Sequence, residues 1–148
     1  KDYILVKDVF GDWCMPPESP ELIHSEDPAR KTNGAVLSTT VFYSILQLME
    51  KFAQMDGLPA DAGEYAALAL KVKDAYNRKF FNPETAQYDN NTVTANLLSL
   101  RLDLVPDGYE EKVFANVVEK TEKDLQALTR RYKAECEKFF SHYYIPFL

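Results

Sequence analysis

The sequence predicts an all-α fold assembled from antiparallel helix pairs. Two observations lead there. Four stretches carry apolar residues at three- and four-residue spacing. Short turns punctuate them: Gly57-Leu58-Pro59, Asn82-Pro83 and Val105-Pro106-Asp107-Gly108. Helix pairs joined this way form a bundle, a solenoid or a toroid. No repeat of fixed period is visible, which argues against a consensus repeat array.

The elements follow in order. Tyr3-Ile4-Leu5-Val6, then Val9-Phe10, reads as a strand or an extended lead-in. Residues 14–34 read as loop, with Pro16, Pro17, Pro20 and Pro28, and with Asn33-Gly34 as a turn signal. A loop of that length inside a compact domain is usually functional or disordered. The first helix is predicted from Ser38 to Met55, with Ser38, Thr39 or Thr40 as its cap. Val41, Ile45, Leu48 and Phe52 form one apolar row, and Phe42, Leu46, Met49 and Ala53 the adjacent one. That face is wide enough to be flanked on two sides.

The second helix is predicted from Asp61, paired with Glu64 as a capping box, to Phe80 or Phe81. Its stripe is Tyr65, Leu68, Val72, Ala75 and Lys79, and Asn82-Pro83 stops it. The polar segment from Glu84 to Asn91 reads as a loop or short hairpin, with Tyr88 as its one aromatic. A third helix is predicted from Thr92 to Leu104, lined by Ala95, Leu98 and Leu102 and widened by Leu97, Leu100 and Leu104. The fourth begins at Asp107 or Gly108, with Glu110 or Glu111 favourable to its dipole. Val113, Val117 and Lys120 form one row, and Phe114 and Val118 the next. After Asp124 the character changes: helical spacing persists, but Arg130, Arg131, Lys133 and Lys138 crowd the surface. The strongly aromatic stretch from Phe139 to Leu148 is expected to pack back on the core or to mark an altered end.

Composition narrows the function classes. At 148 residues the chain holds one domain's worth of core, and 46% hydrophobic residues make it globular. The 13% aromatic content suits a packed core or a carbohydrate-facing surface equally. A net charge of −6 without a basic block argues against nucleic acid and anionic membrane as partners. No apolar run approaches the length of a membrane span. Because the chain opens on Lys1-Asp2-Tyr3, a removed leader or a longer parent protein is expected. Cys14 and Cys136 could pair or stay free. His24 and His142 are isolated, and no metal or cofactor site is expected.

One stretch stands apart from the helical periodicity: Gly11-Asp12-Trp13, followed by Cys14-Met15-Pro16-Pro17. Trp13 is the single tryptophan, on a loop that glycine opens and two prolines close. An aromatic beside a carboxylate can hold a sugar ring, by stacking on one side and hydroxyl hydrogen bonds on the other. Equally, Trp13 can plug a gap under the loop while Asp12 caps a turn. Glu18, Glu21, Glu26 and Asp27 nearby are acid/base candidates or plain solvated charges.

These residues, taken in order, resemble a known family. Phe10-Gly11-Asp12-Trp13, a proline-containing loop, then Ser38-Thr39 with Phe42-Tyr43 is similar to the catalytic domain of bacterial α-L-rhamnosidases of glycoside hydrolase family 78. Tyr65-Ala66-Ala67-Leu68-Ala69, the run from Ala75 to Phe81, the run from Tyr88 to Asn96, and Leu104-Val105-Pro106 continue the likeness over about residues 9–124. The resemblance implies an (α/α)6 toroid, the six-hairpin glycosidase fold, that releases terminal α-L-rhamnose with inversion. Inversion needs one carboxyl group to protonate the leaving oxygen and another to activate water on the opposite face. By the same resemblance, Trp13 lines the rhamnose pocket and Asp12 sits beside it as a substrate-binding residue, either on a sugar hydroxyl or holding the loop.

The departures carry expectations too. The family's general acid lies upstream of the Trp-containing loop, and nothing before Asp12 matches it. Its general base follows a second Trp, which this chain lacks. Val93 stands where many relatives carry Gln, and the stretch after Lys123 goes its own way. The expectation is therefore a middle segment of a rhamnosidase toroid, without catalytic carboxylates and without hydrolysis of its own. Its partner is expected to be a rhamnose-containing carbohydrate, met in the periplasm or outside the cell. A partial ring exposes apolar helix faces, through which self-association is expected. Two rivals stay open: another toroid glycosidase with a different sugar, and a helical interaction module in which Trp13 is structural.

Overall fold

The computed structural model describes residues 2–6 and 31–143. Four helices and one small β-ribbon are seen there: α1 (Gly34–Met55), α2 (Pro59–Phe80), β1 (Phe81–Asn82), β2 (Gln87–Tyr88), α3 (Val93–Arg101) and α4 (Glu110–Tyr143). α1 packs on α2 and α3 on α4. The short connectors make each pair antiparallel. The all-α expectation holds, and the ribbon is the anticipated short hairpin, with Phe81 opposite Tyr88 and Asn82 opposite Gln87.

α1 begins four residues earlier than expected. Asn33-Gly34 is the helix start and not a turn. The Asn33 side chain accepts a hydrogen bond from Ala35 N at 2.9 Å, and its carbonyl accepts from Val36 N at 2.9 Å. Ser38 and Thr39, expected as caps, sit one turn inside and serve another purpose. Leu5 N donates to Thr39 Oγ1 at 3.1 Å, and Ser38 Oγ donates to Leu5 O at 2.8 Å. These bonds lay residues 2–6 along the start of α1 as a lead-in outside any strand, with Tyr3, in left-handed backbone at φ 50°, and Ile4 against the core. Replacing an Asn cap by Ala costs about 1 kcal/mol. Asn33→Ala should therefore lower stability by about that amount in urea melts, with no change in the slope.

The wide face of α1 divides. Val36, Thr39, Tyr43, Leu46 and Ala53 are buried, and Phe42 packs partly against them. The row Val41, Ile45, Leu48 and Phe52 stays open, with Val41 and Phe52 each 57% exposed. The expected flank on a second side is thus not provided by the described residues.

α2 starts at Pro59, two residues before the expected Asp61. Proline is pre-set for the first helical position and lacks the N–H that would go unbonded there. Leu58 caps it without a side-chain bond, so the anticipated pairing of Asp61 with Glu64 does not form the cap. Val72 and Ala75 from the predicted stripe are buried, joined by Ala69, Tyr76 and Phe80. α3 is shorter than predicted. Thr92 caps it, accepting from Ala95 N at 3.2 Å. The helix stops at Arg101 because Asp103 adopts a left-handed φ of 56°. Lys73 Nζ bonds the Asp103 carbonyl and Asn77 Nδ2 bonds Leu104 O, which fastens this end to α2.

α4 starts at Glu110 rather than Asp107 or Gly108, since Gly108 sits at φ 81° in the preceding turn. Val113 and Val117 are its buried positions, as predicted, while Phe114 and Val118 are exposed. α4 runs unbroken for 34 residues, about 51 Å, through the point where its composition changes. The tail from residue 144, the side chain of Cys136, and Cys14 lie outside the described residues. No described helix is long and apolar enough to cross a membrane.

The core centres on an aromatic chain. Phe80, Tyr76, Tyr88, Phe81 and Tyr109 follow one another with ring centroids 5.1, 5.4, 5.1 and 5.1 Å apart. Val36, Val72, Leu104 and Val113 close around it with no exposed surface. Burial of each such side chain contributes roughly 2 kcal/mol.

Candidate functional site

The hairpin loop from Tyr88 to Thr92 joins the starts of α1 and α3. Thr32 and Thr92 share a buried hydroxyl–hydroxyl bond of 2.6 Å. Asn90 Nδ2 donates to Lys31 O at 2.6 Å, and Asn33 Nδ2 to Asp89 Oδ1 at 3.4 Å. Five polar side chains, Thr32, Asn33, Asp89, Asn90 and Thr92, thus hold the chain at 31–33 against the loop. The other flank, Leu5, is bonded to Ser38 and Thr39 in the first turns of α1. Leu5 and Lys31 are thus both fastened at the end of the helix pairs where α1 and α3 start.

Behind this loop lies a saturated polar network. The Asn96 amide accepts from Tyr88 N at 3.0 Å and donates to Asn91 Oδ1 at 2.7 Å and Thr92 O at 3.1 Å. Asn77 Oδ1 accepts from Tyr88 Oη at 2.7 Å. Tyr76 Oη meets Ser99 Oγ at 2.9 Å, and Ser99 Oγ donates to Ala95 O at 2.8 Å. With the serine proton directed there, Tyr76 is the donor in its pair. Burial drives both Tyr76 and Tyr88 well above the usual phenol range. Both stay neutral donors at physiological pH. Their work is to hold the loop, since neither hydroxyl is open to a substrate.

Two of the loop's residues sit in left-handed backbone, Asp89 at φ 50° and Asn91 at φ 60°. Asn91 is fixed by its bond from Asn96, and Asp89 is exposed. The site residues read from sequence, Asp12 and Trp13, lie outside the described residues, as do Glu18, Glu21, Glu26 and Asp27. Asn77, Asn96, Ser99 and Asp89 were not singled out from sequence. The available signal was polar: Asn96 and Ser99 stand on the α3 face that also carries buried Ala95. A separate groove lies at the far end of α1, lined by Met49, Phe52, Met55, Leu58 and Tyr65 with Asp56 and Asp61 at its edge. Among the described residues no group of three or more His, Cys, Asp or Glu could hold a metal ion.

A family model for the bacterial α-L-rhamnosidase six-hairpin glycosidase domain matches residues 2–129. The chain belongs to this rhamnosidase family. It is 30% identical over 125 residues to an α-L-rhamnosidase of Formosa agariphila, a match covering 82% of the chain and 12% of that protein. The structure of α-L-rhamnosidase from Dictyoglumus thermophilum superposes with a TM-score of 0.66 at 32% identity, over 80% of this chain and 13% of that one. The Streptomyces avermitilis α-L-rhamnosidase, solved with L-rhamnose, gives a TM-score of 0.68 at 22% identity, over 83% of this chain and 10% of that one. The two helix pairs, α1 with α2 and α3 with α4, agree with the six-hairpin expectation, and the sequence likeness is borne out. The chain spans only about an eighth of the curated relative's length.

Proposed function

We propose that this chain is part of the catalytic domain of an inverting α-L-rhamnosidase and supplies one wall of its sugar pocket. The supporting observation is the family match over residues 2–129, together with segment 7–30 being flanked on both sides by the starts of α1 and α3. In this reading Trp13 stacks on the apolar face of terminal α-L-rhamnose and Asp12 bonds a hydroxyl. The acid and base of inversion are supplied elsewhere in the longer protein. The chain alone therefore binds without hydrolysing. The substrate is a rhamnose-containing glycan or glycoside met in the periplasm or outside the cell.

Trp13 is the single tryptophan, so its fluorescence reports one place. Titration with L-rhamnose should give a saturable shift, and L-fucose and D-mannose should not. A shift with all three sugars would point to another glycosidase specificity. No shift, with emission already blue, would place the indole in the core and reject the pocket.

A second reading rests on the open row Val41, Ile45, Leu48 and Phe52 of α1. Exposed apolar stripes of this kind mark association surfaces. Isolated from the rest of a ring, the chain self-associates through it. Sedimentation that stays monomeric across concentration would remove this reading.

A further inference from the structure

We propose, resting on the self-association reading, that the groove where α1 turns into α2 is the docking site for the basic face of α4 from a second copy of this chain.

Both surfaces are apolar and uncovered among the described residues. Met49, Phe52, Met55, Leu58 and Tyr65 line a groove of about 460 Å³. Met55 is 84% exposed, and Phe52 and Leu58 are about half exposed. Methionine side chains adapt readily to an incoming surface. α4 supplies the complement. Beyond Val117 none of its described side chains is buried, and α3 is the helix it packs on. A helix draws most of its stability from a packed face, so this half of α4 has a face still to cover. Leu125, Gln126, Thr129 and Arg130 lie together on one side, with Leu125 62% exposed, and Lys133 follows one turn on.

Charge decides the pairing. Residues 48–65, which form the groove, carry Glu50, Asp56, Asp61 and Glu64 against Lys51 alone. Asp56 and Asp61 stand exposed at the groove's edge. Residues 125–134 of α4 carry Arg130, Arg131 and Lys133 and no acid. Glu122 and Glu137 flank that stretch, and Glu137 lies 4.0 Å from Lys133. With a net charge of −6, two copies repel at random orientations, and the basic stretch is the part an acidic rim accepts. Two grooves would meet acid on acid, and two α4 faces base on base. Groove against α4 is the pairing that remains. Made twice about a two-fold axis, it closes the assembly at a dimer.

Sedimentation velocity of the full chain over a range of concentrations tests this, with circular dichroism of each variant. One variant carries Asp56→Lys and Asp61→Lys in the groove. The other carries Arg130→Glu and Lys133→Glu on α4. All four positions are exposed in the single chain. Each variant alone sets like charges together at both contacts and should dimerise at least tenfold more weakly than the parent. Mixed in equal amounts, the two place opposite charges at both contacts again and should recover a dimer. If each variant dimerises within twofold of the parent, the inference is overturned and association through the open row of α1 stands. Weakening of both with no recovery on mixing overturns it as well. A parent that stays monomeric removes both readings. Should a variant fail to fold, salt decides on the parent. Raising NaCl from about 0.05 to 0.5 M screens exposed charges and should weaken the dimer severalfold, and a dimer unchanged or tightened by salt overturns the inference.

Discussion

Replacing Asn96 by Ala should destabilise the domain by about 3 kcal/mol, a large share of the 5–15 kcal/mol typical of a domain. The residue is fully buried and its amide is saturated: it accepts from Tyr88 N and donates to Asn91 Oδ1 and Thr92 O. Truncation leaves the Tyr88 N–H buried beneath the ribbon without its acceptor. A buried group stripped of its partner costs about 1–3 kcal/mol, and the missing amide volume adds to that. The same change releases Asn91, whose left-handed backbone is held by the lost bond. Urea melts of the parent and Asn96→Ala check the size. Ser99→Ala gives the scale: it leaves the Tyr76 hydroxyl without its Ser99 partner and should cost about half as much. A loss below 1 kcal/mol for Asn96→Ala would show that water takes over its bonds, and that the loop is held mainly from the Thr32 and Asn90 side.

This network also shows where the sequence was readable and where it was not. Apolar spacing marks Val72, Ala75, Val113 and Val117 as buried, and they are. Asn82-Pro83 marks the end of α2, and the ribbon follows at once. Spacing fails where burial depends on a neighbour. Val41, Ile45, Leu48 and Phe52 are as periodic as any row in the chain, yet nothing among the described residues covers them. Periodicity reports that a face seeks a partner and does not say whether the partner lies within the same 148 residues. On α3 the error runs the other way. Leu97 is 49% exposed while Asn96 and Ser99 are fully buried, because their amide and hydroxyl satisfy the ribbon's backbone and Tyr76.

Capping failed for a related reason. Ser38, Thr39 and Thr40 are good caps, but Asn33 is as good, and two of the three hydroxyls are engaged by Leu5 from a distant part of the chain. Only tertiary contact decides between such candidates. At the site itself, Gly11-Asp12-Trp13 is legible as a motif because a lone tryptophan on a loop interrupts every helical pattern. Asp89 carries no such signature. Its φ of 50° and its bond from Asn33 are both invisible before the backbone is known.

Raising the pH above 10 should unfold the domain steeply, and Tyr76 and Tyr88 are the cause. Burial raises both phenols in the folded state, while in the unfolded chain they ionise near pH 10. The sign follows directly. Above pH 10 the unfolded state sheds two protons that the folded state keeps, so stability falls as pH rises. Below pH 10 neither state has lost them, and the contribution is fully present. Each retained proton removes about 1.4 kcal/mol per pH unit once the unfolded phenols are fully ionised; they are half ionised at pH 10, so the pair removes about 2 kcal/mol between pH 10 and 11. Burial also raises Tyr43, which acts in the same direction. Of the nine tyrosines, the exposed ones should gain phenolate absorbance smoothly, while the buried pair ionises only together with the loss of helical circular dichroism. Tyr76→Phe removes one of the two protons and should roughly halve the pH slope, at a modest cost from the Ser99 oxygen it leaves unbonded. If all nine phenols titrate while the helices persist, the interior around Ser99 and Asn77 is open to hydroxide. The ribbon would then be a loose cover and not the rigid support that presents the Tyr88–Thr92 loop.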